Sequence, residues 1–133
     1  AHPAQIRFEI VRADPVPDIS AACSVSPIST SAAGSAQLNA VIENRGTAIA
    51  IFPANSPLFN YTLGESADYS VPAETAIIPG ESKSFSIPLN VSRLEVRPYT
   101  VRINLDPRGV VRDASRENNR ASCVLMIVDQ KPG

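Results

Sequence analysis

The residues with chemical potential are few and fall in recognisable places. Asp106, Asp113, Glu117, Asn118 and Asn119 put several side-chain oxygen donors into one polar stretch, so calcium has to be weighed first. Hard cations take roughly six to eight oxygens in a fixed order of ligands, and this spacing fits no EF-hand loop. Arg108, Arg112, Arg116 and Arg120 interleave with the acids and would neutralise them. The stretch therefore reads as a loop in which Asp106 opens a turn with Pro107 and the Asn pair bonds local backbone. No metal is expected. Gly64-Glu65-Ser66 and Gly80-Glu81-Ser82 lack the second glycine of a nucleophile elbow. His2, at the terminus, is the sole histidine, so no imidazole is placed to act as a serine's base. No catalytic residue and no cofactor is expected.

Three other groups carry interest. Cys23 and Cys123 share parity with apolar neighbours, Ile19, Ala21 and Val25 for one, Leu125 and Ile127 for the other. They read either as two buried thiols or as a disulfide between the first and last strands. The disulfide is favoured because a sandwich often brings those strands side by side, and it would mean an oxidising compartment. Tyr99 starts a strand after a turn-rich segment, the place where a tyrosine hydroxyl ties a corner to upstream backbone. Tyr61 and Tyr69 lie in a poorly patterned region and offer a small sugar-binding platform if exposed and coplanar. Ordinary strand residues are the plainer reading, since β-propensity favours Tyr. Asn60-Tyr61-Thr62 and Asn90-Val91-Ser92 are glycosylation sequons.

The elements that position these residues are strands. Tyr99 to Leu105 alternates apolar and polar, and Ala121 to Val128 is apolar on both parities, so a half-buried and a fully buried strand flank the polar loop. Ala36 to Glu43 and Lys83 to Leu89 alternate as well, and Ala48 to Phe52 is a short apolar run. Asn44-Arg45-Gly46 ends one strand, with Gly46 suited to a positive-φ position. Leu58 to Leu63 and Tyr69 to Val71 read as edge strands, and Val91 to Arg97 as one helical turn. Gln5 to Val11 alternates too, but Pro15 and Pro17 cut it from the rest. Residues 1–17 are thus an extra edge strand or a linker, and 18–130 an all-β sandwich of seven to eight antiparallel strands with at most one short helical turn.

The bulk numbers agree. One domain is expected for 133 residues. The net charge of -1 and the lack of a basic patch argue against nucleic acid. No run approaches the roughly 18 apolar residues of a membrane span. No apolar leader opens the sequence, which reads as a mature chain or an excised domain.

Taken in order, Pro17-Asp18-Ile19, Ile42 to Gly46, Ile78 to Ser82, Val101 to Pro107, Val111 and Glu117-Asn118-Asn119 resemble the CARDB domain, the cell-adhesion-related domain found in bacteria. The resemblance spans about Pro17 to Val128 and departs in two places. The four arginines stand in a loop that is more acidic in that family, and Ile49 to Ala76 is longer. It implies an immunoglobulin-like fold in a secreted, cell-surface or periplasmic protein, repeated or joined to other domains, and transfers no catalytic site. The function expected is a non-catalytic interaction or spacer module, its partners neighbouring domains or another protein through loops or a strand edge. The alternative is a carbohydrate-binding accessory module of a secreted hydrolase.

Overall fold

The computed structural model describes residues 15–111 and 119–129; the readings at Gln5–Val11, Asp113, Glu117 and Asn118 lie outside them. The chain forms β1 (Ile19–Ser26), β2 (Ser29–Thr30), β3 (Ala36–Asn44), β4 (Ala50–Phe52), β5 (Pro57–Leu63), β6 (Glu65–Ser70), β7 (Thr75–Ile77), β8 (Ser82–Leu89), β9 (Pro98–Leu105) and β10 (Arg120–Ile127). Three sheets result: β1-β3-β8, β2-β10-β9-β5-β6 and the small pair β4-β7. The first two face each other as an immunoglobulin-like sandwich. Their pairings are antiparallel except for β2 alongside β10, where Ser29 sits opposite Met126. The strand count exceeds the expected seven to eight because β2, β4 and β7 are only two or three residues long. The segment 91–97 holds a single turn, Leu94 N–H to Val91 C=O at 3.1 Å, rather than a helix.

Alternation explains most strands. In β3, Ala36, Leu38, Ala40 and Ile42 are buried between outward Gln37, Asn39, Val41 and Glu43. In β9, Val101, Ile103 and Leu105 point in while Thr100, Arg102 and Asn104 point out. Each large side chain so removed from water contributes about 1.5–3 kcal/mol. β10 differs from its expectation as a fully buried strand. Leu125 and Ile127 are buried, but Val124, Met126 and Val128 remain exposed, because no third layer covers this antiparallel sheet. β5 is likewise no edge strand. It lies between β9 and β6, carries a bulge between Pro57 and Phe59, and turns into β6 at Gly64, whose φ is 75°.

The two open sides of the sandwich are closed by different chemistry. On one side Cys23 of β1 and Cys123 of β10 form a disulfide, with Cα atoms 5.8 Å apart. Facing sheets ordinarily lie about 10 Å apart, so the layers converge here. The cysteines join strands of opposite sheets rather than strands paired side by side. On the other side Tyr69 of β6 stacks on Phe59 at 5.2 Å and meets Phe85 of β8 at 5.7 Å, crossing between the layers.

Asn44 organises one end. It occupies the inward parity of β3 and is fully buried. Its Oδ1 accepts from the Asp18 and Gly46 amides at 3.2 and 2.9 Å, and its Nδ2 donates to the Ala48 and Ile77 carbonyls, both at 2.8 Å. One side chain thereby satisfies four backbone groups, on the entry to β1, the stretch after β3 and the end of β7. Gly46 serves the same junction. Its φ is not positive; instead a Cβ there would collide with the Val16–Asp18 backbone, 2.7 Å from the Pro17 carbonyl carbon. Replacing Asn44 by Ala strands these groups, each costing about 1–3 kcal/mol, so the urea-unfolding free energy should fall by about 3–5 kcal/mol. Asn39→Ala, on the solvent side of the same strand, should cost under ~1 kcal/mol; equal losses would refute the role given to Asn44.

Candidate functional site

The loop after β9 is built on Asp106. The residue is buried and left-handed, with φ 46°. Its amide donates to the Leu58 carbonyl at 2.8 Å and its carbonyl accepts from Gly109 at 3.0 Å. Its carboxylate then accepts from the Val110 amide on Oδ1 at 2.9 Å and from the Val111 amide on Oδ2 at 2.8 Å. Both oxygens are thus turned onto their own loop, and Val111 is drawn into the core. The arrangement holds a loop closed and offers little to a cation. Among the described residues no three of His, Cys, Asp and Glu converge on a point. Asn119, just before β10, is 1% exposed. Its side-chain amide has no hydrogen-bond partner among the described residues, so the local backbone bonding expected of the Asn pair is not seen at this position.

Tyr99 lies half-buried at the start of β9. Its hydroxyl accepts from the Glu95 amide at 2.8 Å, and the Arg97 guanidinium stacks on its ring at 4.3 Å. The ring thereby pins the segment entering β9 to the strand itself. Tyr61 and Tyr69 form no exposed platform. Tyr61 meets Phe59 edge-on at 6.2 Å while Tyr69 stacks on the same ring, and both pack partly buried against the core. Their inward parity follows from the β5–β6 register, in which Phe59 faces Tyr69. The remaining motifs are also absorbed by structure. Glu81 accepts from the Ile78 amide at 3.2 Å. Asn60 donates to Asp68 at 3.1 Å, and Asn90 accepts from Ser92.

What the sequence did not single out is the outer face of β5, β9 and β10. Register aligns Arg120, Asn104, Asn60 and Asp68 in one row, and Ser122, Arg102, Thr62 and Ser66 in the next. A surface groove of about 620 Å³ runs over the β10–β9–β5 part of these rows. The outward parity of Arg102 and Asn104 was readable from alternation; their meeting with Arg120 and Asn60 needed the strand order.

Asp106→Ala removes two charge-assisted bonds and should lower stability by about 3 kcal/mol in urea melts, while exposed Arg108→Ala stays within ~0.5 kcal/mol. The melting temperature of the unaltered chain should be the same in calcium and in chelator, since a bound cation would raise it. Tyr99→Phe, which loses the exposed bond from the Glu95 amide, should cost about 0.5–1 kcal/mol by the same urea measurement. A cost near zero would remove the corner role.

No family model matches the chain, and no curated protein does. Solved structures do match. A crystal structure of a CARDB domain from Pyrococcus furiosus, in complex with two metal ions, is 16% identical with a TM-score of 0.63, covering 85% of this chain and 90% of that one. The solution structure of the same domain gives the same identity and TM-score over 85% and 96%. A domain from Methanosarcina acetivorans, of a protein described as a cell-surface protein, gives 16% and 0.58 over 89% and 97%. The metal ions belong to the Pyrococcus protein. At this identity the likeness speaks for architecture, and the chain has the CARDB fold that its sequence resembles.

Proposed function

We propose that this chain is a non-catalytic spacer module of a larger surface or secreted protein, built to carry tension along its long axis. The observation that supports this is the relation of its first and last strands. Cys23 of β1 is bonded to Cys123 of β10, and just after β1 the short β2 runs parallel beside β10, with Ser29 opposite Met126. β1 and β10 therefore point the same way, so the backbone enters at the Asn44 end and leaves at the opposite one. A pull on the two ends reaches the disulfide first, and the cross-link spans a separation of 100 residues. The sandwich between entry and exit is shielded from that force. The same bond restrains the unfolded chain, worth about 4.7 kcal/mol for a loop of this length in the chain-entropy model. Oxidation of the pair accords with an extracellular or periplasmic setting.

Single-molecule pulling through handles placed before Pro17 and after Val128 tests the reading. The oxidised chain should release none of the enclosed length. Reduction, or Cys23→Ser, should release about 340 Å, from roughly 3.4 Å per extended residue over the separation of 100. An oxidised chain that lengthens by the same amount would end the proposal.

A further inference from the structure

We infer that the outer face of β5, β9 and β10 is a binding groove for an acidic polysaccharide, one whose sugars carry carboxylates beside free hydroxyls. The outward side chains lining the groove are Asn60, Thr62, Arg102, Asn104, Arg120 and Ser122. Arg120 is opposite Asn104 and Ser122 is opposite Arg102, so the two arginines are diagonal neighbours across adjacent strands, about 7–8 Å apart at the backbone. Both are exposed, and among the described residues the ion pair formed is Arg45 with Glu43, involving neither of them. Asp68, at the far end of the Arg120 row, accepts from Asn60 instead. Thr62 and Ser66 bond each other at 3.1 Å. The acceptors at the β6 side are therefore engaged within the protein, while the guanidinium donors at the β10 side face the groove.

The composition of the groove selects the ligand. Two planar guanidinium forks suit carboxylates, to which Arg can donate two parallel bonds. The adjoining amides and hydroxyls both donate and accept, as sugar hydroxyls require. A protein partner would want aromatic or apolar anchors at the centre of its site; here Ile103 is buried beneath the groove, and the exposed Val124 and Met126 of β10 lie outside its lining. A neutral glycan would want an aromatic platform, and Tyr61 and Tyr69 are turned inward onto Phe59. The assignment goes beyond the spacer role and stands independently of it.

Affinity electrophoresis and calorimetry with polygalacturonate, dextran and polyglutamate decide the matter. Polygalacturonate should bind and dextran should not. Arg102→Ser combined with Arg120→Ser should weaken binding by about tenfold or more, since charge-assisted bonds are worth about 1.5–3 kcal/mol and 1.4 kcal/mol is tenfold. Arg93→Ser combined with Arg108→Ser, at two exposed positions outside the groove lining, makes the same change in net charge and should leave the affinity within about twofold. Melting curves establish that all variants fold, which exposed surface sites tolerate. The inference is overturned by no binding of polygalacturonate, by equal loss in both double variants, or by polyglutamate binding as tightly as the polysaccharide.

Discussion

A buried backbone group that no ladder reaches has to find a partner, and at one end of this sandwich one amide side chain supplies it for four such groups. Asn44 bonds the entry to β1, the turn at Gly46, the Ala48 carbonyl ahead of β4 and the end of β7. Its own backbone closes the turn before β8 through Glu81 and Gly80. Two opposing apolar faces explain why sheets associate, yet they leave the chain crossings at their ends unsatisfied. The Asn44 junction settles those crossings, and it fixes where β1 begins relative to β3. Everything downstream on β1, Cys23 included, inherits that register.

The position of Cys23 then meets that of Cys123, and the layers are pinched together along β1 and β10. Across the sandwich the closure is aromatic, with Phe59, Tyr69 and Phe85 bridging β5, β6 and β8. The two closures differ in kind. A disulfide resists force without rearranging, whereas stacked rings depend on the burial that surrounds them. The covalent closure joins the first and last strands, β1 and β10. The faces and loops are left free for recognition, as is usual when a rigid scaffold carries variable surface groups.

Much of the architecture was legible in the chain. β3, β8 and β9 announce themselves by strict alternation, and Asp106-Pro107 marks the turn that follows β9. The last strand misled because apolar residues on both parities suggest burial on both faces, whereas Val124, Met126 and Val128 simply stand on an uncovered sheet. The middle of the chain showed β5 as a strand over Leu58 to Leu63 but not its place, because only the strand order sets it between β9 and β6. Asn44 left a signal that went unread: a polar residue at the inward parity continued from Ala36 to Ile42. Gly46 was assigned to the wrong cause, since only the approach of Val16–Asp18 shows why a side chain cannot fit there.

Local sequence by itself settled the β class, the strand periods and the inward faces, because side chains alternate in an extended backbone whatever the partners are. It could not decide which layer each strand joins. That choice depends on contacts between distant segments, and it determined that the cysteines bond across sheets, that the tyrosines turn inward, and that Arg102 and Arg120 share a groove with two asparagines. Strand order and register are properties of the assembled sheets, so only the folded molecule could bring those residues together.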